Sequence, residues 1–227
     1  MDVASALASV ASRKQLRRLG GALELSVDEG GSLDELLSLN ATTVDAAMLS
    51  VLGAEGAMRA RSRLEEEVGE RSASEIMYKC GRQWGQRDMA SFEPRVAEHF
   101  QVDFERMGMG MMLETWWWPL TMEGWGTWRY DFSQGKQGLL FVDLYESAVA
   151  KSLGTVGQVV CHFYAGMFST VFSRLARREL ACIEIQCYSM GEDFCKFLIS
   201  SDKRVNAAEF WRNEGATTKD ILKKLND

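Results

Sequence analysis

The stretch "CHFYAGMFSTVFSRLARRELACIEIQCYSMGEDFC", residues 161 to 195, constrains the fold of this chain more than any other. It holds four of the five cysteines with a glutamate among them. Phe163, Tyr164, Met167, Phe168, Val171, Phe172 and Leu175 recur at helical spacing. "LACIEIQCYS" then reads as a strand, "MGED" as a turn and "FCKFLIS" as the partner strand. The segment therefore predicts a helix start, carrying Cys161, folded back onto a β-hairpin that carries the other thiols. The first residues, "MDVASALASVASRKQLRR", show no positive n-region followed by an apolar run, so a cytoplasmic, reducing location is expected. There, clustered cysteines serve as metal ligands or reactive thiols more often than as disulfides, and the odd count agrees.

Cys161, Glu184, Cys187 and Cys195 offer three thiolates and one carboxylate, a donor set that suits a structural zinc ion in a closed tetrahedron. A metal there would tie a helix to a hairpin. One geometric objection stands against it. Residues three apart on a regular strand point to opposite faces, so Glu184 and Cys187 converge only if the strand bulges or ends between them. Cys182 shares a face with Glu184 in the regular case and is the rival ligand. The plainer alternative is a set of ordinary buried thiols, since free cysteine is among the most buried residue types.

The remaining chain, 227 residues in all, is long enough for one large domain without disulfides. Residues 3 to 19 read as an amphipathic helix ended by Gly20–Gly21, Ser32 and Glu35 as a capping box, and Thr43 to about Glu70 as helical. A further helix is expected from Ala73 to about Met89, with Gly81 and Gly85 on one face where another element packs closely. Residues 95 to 113 begin as helix and turn glycine- and methionine-rich. "TWWWPLTMEGWGTWRYDFSQGKQGLLFVDLY" reads as aromatic and β-rich, with "RYDF" and "LLFVDLY" paired across a turn at "SQGKQG". A helix should start near Glu146, and the tail resumes helix at "AAEFW" and "TTKDILKKLND". Helices first, then a mostly antiparallel sheet interleaved with helices, make the expected class α+β.

A net charge of −6 argues against a nucleic-acid surface, and no apolar run reaches the length of a membrane span. The aromatic residues Trp116, Trp118, Trp125, Trp128, Tyr130, Phe141, Phe163 and Phe168 are the candidate lining of a pocket for a flat apolar ligand, indole N–H groups orienting it. Sheet core or a dimer interface is the competing reading of the same residues. Met107, Met109, Met111 and Met112 read as core filling. No catalytic residues are assigned. Cys161 and His162, being neighbours in sequence, point apart, and neither a phosphate-cradling loop nor a nicotinamide or flavin signature occurs.

The segment "CHFYAGMFSTVFSRLARRELACIEIQCYSMGEDFCKF" resembles the 4-vinyl reductase domain family, small-molecule-binding domains with a fold related to vesicle-tethering TRAPP subunits. "YKCGRQWGQRDM" is similar to the family's Gly-x-x-x-Gly helix and "LYESAVAKSLG" to its Ser/Glu-Ala helix start. The likeness spans residues 40 to 200 and is most specific from 141 to 197, with particular similarity to sensory domains of phenol- and toluene-responsive activators. It implies a TRAPP-subunit-like fold over 41–200, an N-terminal helical extension over 1–40 and a C-terminal helical tail over 201–227. It also implies a structural Zn2+ on Cys161, Glu184, Cys187 and Cys195, with Cys182 outside the set. It implies a small hydrophobic or aromatic ligand beside that metal. As no ATPase or DNA-binding region follows in this chain, the domain is expected to act through a homodimer or a partner protein. Two other functions are implied by the same kinship: a TRAPP-like assembly scaffold, or an accessory role in tetrapyrrole (bacteriochlorophyll) metabolism.

Overall fold

The computed structural model describes residues 65–101 and 104–226. The helix expected over 3–19, the capping box at Ser32 and Glu35, most of the helix from Thr43 and the 1–40 extension lie outside the described residues. The elements run α1 (Glu70–Phe100), α2 (Met109–Met122), β1 (Thr127–Asp131), β2 (Leu140–Tyr145), α3 (Ala148–Leu153), α4 (His162–Ala176), β3 (Ala181–Gln186), β4 (Cys195–Ser200), α5 (Asp202–Asn213) and α6 (Thr218–Asn226). The strands form one antiparallel sheet in the order β1-β2-β4-β3. Helices packed on an antiparallel sheet are the α+β architecture that the sequence predicts.

Two local expectations are corrected. The helix placed over 73–89 continues through Pro94 to Phe100. Proline removes a single backbone hydrogen bond from a helix interior, and burial of Phe92 and Val96 in line with Trp84 and Met89 keeps the helix going past it. The three consecutive tryptophans, read as β-rich, sit on α2. There Met112, Leu113, Trp116, Trp117 and Leu120 are buried, a helical spacing that outweighs the β-propensity of the aromatics.

The close approach expected at Gly81 and Gly85 is present, and its partner is α4. A Cβ on Gly81 would collide with the Phe163 carbonyl, and one on Gly166 with the Tyr78 carbonyl. Backbone thus packs on backbone where the helices cross, and this contact is available only to glycine. Glu93 and Arg174 close the far end of the same pair with two hydrogen bonds of 2.6 Å.

The alternation of β2 and β4 sorts side chains onto two faces. Leu140, Val142, Leu144, Cys195, Phe197 and Ile199 face α1, α2 and α4 in the larger core. Leu139, Phe141, Ile183, Ile185 and Leu198 face the other way, against Val205 and Ala208 of α5 and Ile221 of α6. The candidate residues sit almost entirely in the first layer.

Candidate functional site

Cys161 caps α4, Glu184 lies on β3, Cys187 follows that strand and Cys195 opens β4. The β3–β4 register shifts between Glu184 and Gln186, leaving Ile185 without an opposite residue. That bulge removes the geometric objection: Glu184 and Cys187 turn to the same side. One donor atom from each of the four residues lies within 4.8 Å of all the others. The side chains are fully buried, with Glu184 only 1% exposed.

The thiols do not form disulfides: Cys161 Sγ is 3.8 Å and Cys187 Sγ 3.7 Å from Cys195 Sγ, against about 2.05 Å for an S–S bond. Zinc–sulfur bonds of about 2.3 Å at tetrahedral angles would place sulfurs about 3.8 Å apart. The observed spacing fits that edge. The glutamate fits it too. Its Oε2 accepts from the Cys161 N–H at 2.8 Å, while buried Oε1 has no partner among the described residues. A carboxylate oxygen without a hydrogen bond in a dry interior is expected where a cation completes it.

Electrostatics point the same way. Burial pushes both the Cys161 thiol and the Glu184 carboxyl well above their ordinary values. Cys187 moves the other way, held low by hydrogen bonding with Cys161 and then Cys195. Four acidic groups in one buried space cannot all ionise without positive charge among them, and a divalent ion supplies it.

Two serines that the sequence reading did not single out support the thiols. Ser147 Oγ lies 3.3 Å from Cys161 Sγ and also accepts from the Ala150 N–H, so the cap of α3 touches a candidate ligand. Ser189 Oγ donates to Cys187 Sγ at 3.0 Å. The only sequence signal for Ser147 was the Ser-Ala helix start. Ser189 carried none. Cys182 is buried on β3 outside the four-residue group, its thiol raised by desolvation.

The aromatic candidates divide. Trp116, Trp125, Trp128, Tyr130, Phe163 and Phe168 gather in the larger core. Trp128 is their hub, with ring centroids 5.3 Å from Trp116, 5.5 Å from Tyr130 and 4.9 Å from Phe168. Trp118 and Phe141 do not join them, and both expectations are corrected. Trp118, one position beyond the buried pair on α2, is turned about 100° further round the helix and is 65% exposed. Phe141, on the opposite pleat of β2, packs in the second layer.

Trp84, Trp117 and Tyr164 belong to the cluster without having been named for it. Trp84 lies between Gly81 and Gly85 on the crossing face of α1, 5.3 Å from Trp125. Trp117 stacks on Trp128 at 3.4 Å. Tyr164 donates to the Trp125 carbonyl at 2.8 Å. Helical spacing on α2 was the signal for Trp117.

A separate cleft of about 1060 Å3 lies between the start of α1, β3 and α5, lined by charged side chains such as Glu75, Lys79, Glu209 and Arg212. It touches the back of Cys182 and Glu184 but not the tryptophans.

The fold and site together match a known class. Residues 140–201 match the family model of the 4-vinyl reductase domain, the family that the sequence resembles. That span runs from β2 to the residue before α5 and holds all four candidate metal ligands. Among solved structures, the chain is similar to the phenol-responsive sensory domain of the transcription activator PoxR with phenol. The TM-score is 0.52 at 20% identity, covering 71% of this chain and 78% of that one. A vinyl-4-reductase family protein from Methanocaldococcus jannaschii superposes with a TM-score of 0.40 at 13% identity, over 55% of this chain and 66% of that one. An uncharacterized protein of the same organism is 30% identical over 50 residues, which are 22% of this chain and 29% of that relative's length. Among the described residues no helix is long and apolar enough to cross a membrane.

Proposed function

We propose that this chain is a small-molecule-binding sensor domain for a hydrophobic or aromatic ligand, stapled by a structural Zn2+ and acting through a dimer or a partner protein. The observation that carries the reading is the double role of α4. Cys161 at its cap belongs to the thiol–carboxylate group, and Phe163, Tyr164 and Phe168 along it belong to the aromatic cluster. A ligand that shifts those rings pulls on a helix whose start is pinned to the β3–β4 hairpin. The likeness to a phenol-responsive sensory domain supports the ligand class. Cys161, Glu184, Cys187 and Cys195 would hold the ion, which would neutralise their charge and fix the hairpin against α4.

Native mass spectrometry with elemental analysis tests this directly. One zinc per chain is expected, with chelation lowering the melting temperature by more than about 10 °C, because binding energy of a structural zinc is folding energy. A metal-free protein of unchanged stability would overturn the staple. Thermal-shift screening against aromatic and lipid libraries tests the sensor, since a ligand at about a hundred times its Kd adds about 2.7 kcal/mol.

The ring-on-ring packing of Trp117 and Trp128 favours a second reading, an assembly scaffold whose interior is filled by its own side chains. A stable hetero-complex with no response to any small molecule would select it.

A further inference from the structure

The polar atoms of the aromatic cluster are unevenly satisfied. The indole N–H groups of Trp84, Trp117, Trp125 and Trp128 are buried without a hydrogen-bond partner, and so is the Tyr130 hydroxyl. All four tryptophans are at least nine-tenths buried. Their neighbours show that the cluster does pair its polar atoms where it has the means. Trp116 Nε1 donates to Asp88 Oδ2 at 2.5 Å, and Tyr164 Oη donates to a backbone carbonyl.

Two of the four have an acceptor nearby but outside hydrogen-bond geometry: the Glu123 carboxyl beside Trp125 and the Tyr130 hydroxyl beside Trp128. Trp84 and Trp117 have no partner at all among the described residues. An indole nitrogen donates and never accepts, so only an acceptor can answer it. Leaving a buried donor unanswered costs about 1–3 kcal/mol each, and native interiors rarely tolerate several together.

The charges around the cluster narrow the acceptor further. The carboxyl groups set against its polar atoms are three. Asp88 carries the Trp116 bond, Glu123 lies beside Trp125 and Glu114 acts on Tyr130. An anionic ligand would meet repulsion there. A cation would bring no lone pair for the indoles. A hydroxyl would accept one bond but add a hydrogen to a site already in surplus of donors. A carbonyl oxygen accepts two bonds and adds none.

Resting on the sensor reading above, we propose that the aromatic cluster selects neutral, flat, apolar molecules bearing carbonyl-type acceptors and no hydroxyl donor, with Trp84 and Trp117 as the discriminating donors. Aryl ketones are the simplest members of that class.

The test compares acetophenone, ethylbenzene and 4-ethylphenol, probes of similar size, on the full chain by tryptophan fluorescence and 15N-indole NMR. Acetophenone should bind at least about tenfold more tightly than either of the others, the effect of one or two hydrogen bonds made in a dry site. The indole N–H signals of Trp84 and Trp117 should move downfield with acetophenone and stay within the spread of the other probes' shifts otherwise. Trp117→Phe should lower acetophenone affinity about fivefold and leave ethylbenzene within about twofold. The wild-type NMR comparison decides the matter should that variant fold poorly. Equal or tighter binding of ethylbenzene or 4-ethylphenol, or unmoved indole signals, would overturn the donor assignment while leaving the sensor reading intact. Failure of all three probes to bind would overturn both.

Discussion

The two faces of the sheet are built from the same strands yet differ in kind. Toward α1, α2 and α4 lie the thiols, the glutamate, the tryptophans and the orphaned indole donors. Toward α5 and α6 lie Leu139, Ile183, Ile185, Leu198, Val205 and Ile221, an aliphatic layer in which none of the unpartnered buried polar side-chain atoms sits. The second face does what a hydrophobic core requires and no more. The first carries costs that packing alone does not offset, namely buried acids and unanswered donors, and such costs mark a site.

The comparison can be broken most forcefully at the α1–α4 crossing. Gly166→Ala should cost about 3 kcal/mol or more, since the new methyl meets the Tyr78 backbone and neither helix can yield without shifting the other. Because α4 carries Cys161 and the ring stack, chemical denaturation should show that loss together with weaker zinc retention against a chelator. Ile221→Ala, fully buried on the plain face, should cost about 2 kcal/mol and leave zinc content and probe binding unchanged. Equal loss of metal in both variants would erase the distinction between the faces.

The smallest expected effect is a pH dependence. Burial raises the Asp88 carboxyl above its ordinary value, partly opposed by the Trp116 hydrogen bond. The folded chain then holds this proton at pH values where the unfolded chain has lost it. Asp88 therefore subtracts stability as pH rises above the unfolded carboxylate value and through the raised folded one. Asp88→Asn keeps an acceptor for Trp116 but cannot ionise. It should gain stability relative to the natural chain, by under about 1 kcal/mol, on going from about pH 3.5 to about pH 7 in urea melts. An unchanged difference across that range would show that burial of Asp88 carries no ionisation cost.

Much of the fold was legible because local rules and tertiary structure agreed. The helical stripe of 163–175, the strands on either side of "MGED", and the paired strands flanking "SQGKQG" all stand where periodicity puts them. Gly81 and Gly85 announced a close crossing, although nothing local pointed to Gly166 as the answering residue. The α2 tryptophans were misread because β-propensity records how well aromatics suit half-buried sheet surfaces, not an intrinsic backbone preference. Trp118 and Phe141 were misplaced for a related reason. Residue type says that a ring is apolar, whereas rotation about a helix and the pleat of a strand decide which way it faces.

Residue order alone named the side chains able to bind a soft cation, required a helix and a hairpin to bring them together, and put aromatic rings in charge of one region. It took the packed chain to turn Glu184 and Cys187 the same way, to leave Cys182 out, and to select which indoles go unanswered. The physical reason is that donor identity is a property of a residue. Convergence of donors depends on a one-residue bulge in β3 and on the contact of two helices at glycine, neither of which is encoded in the spacing of the ligands.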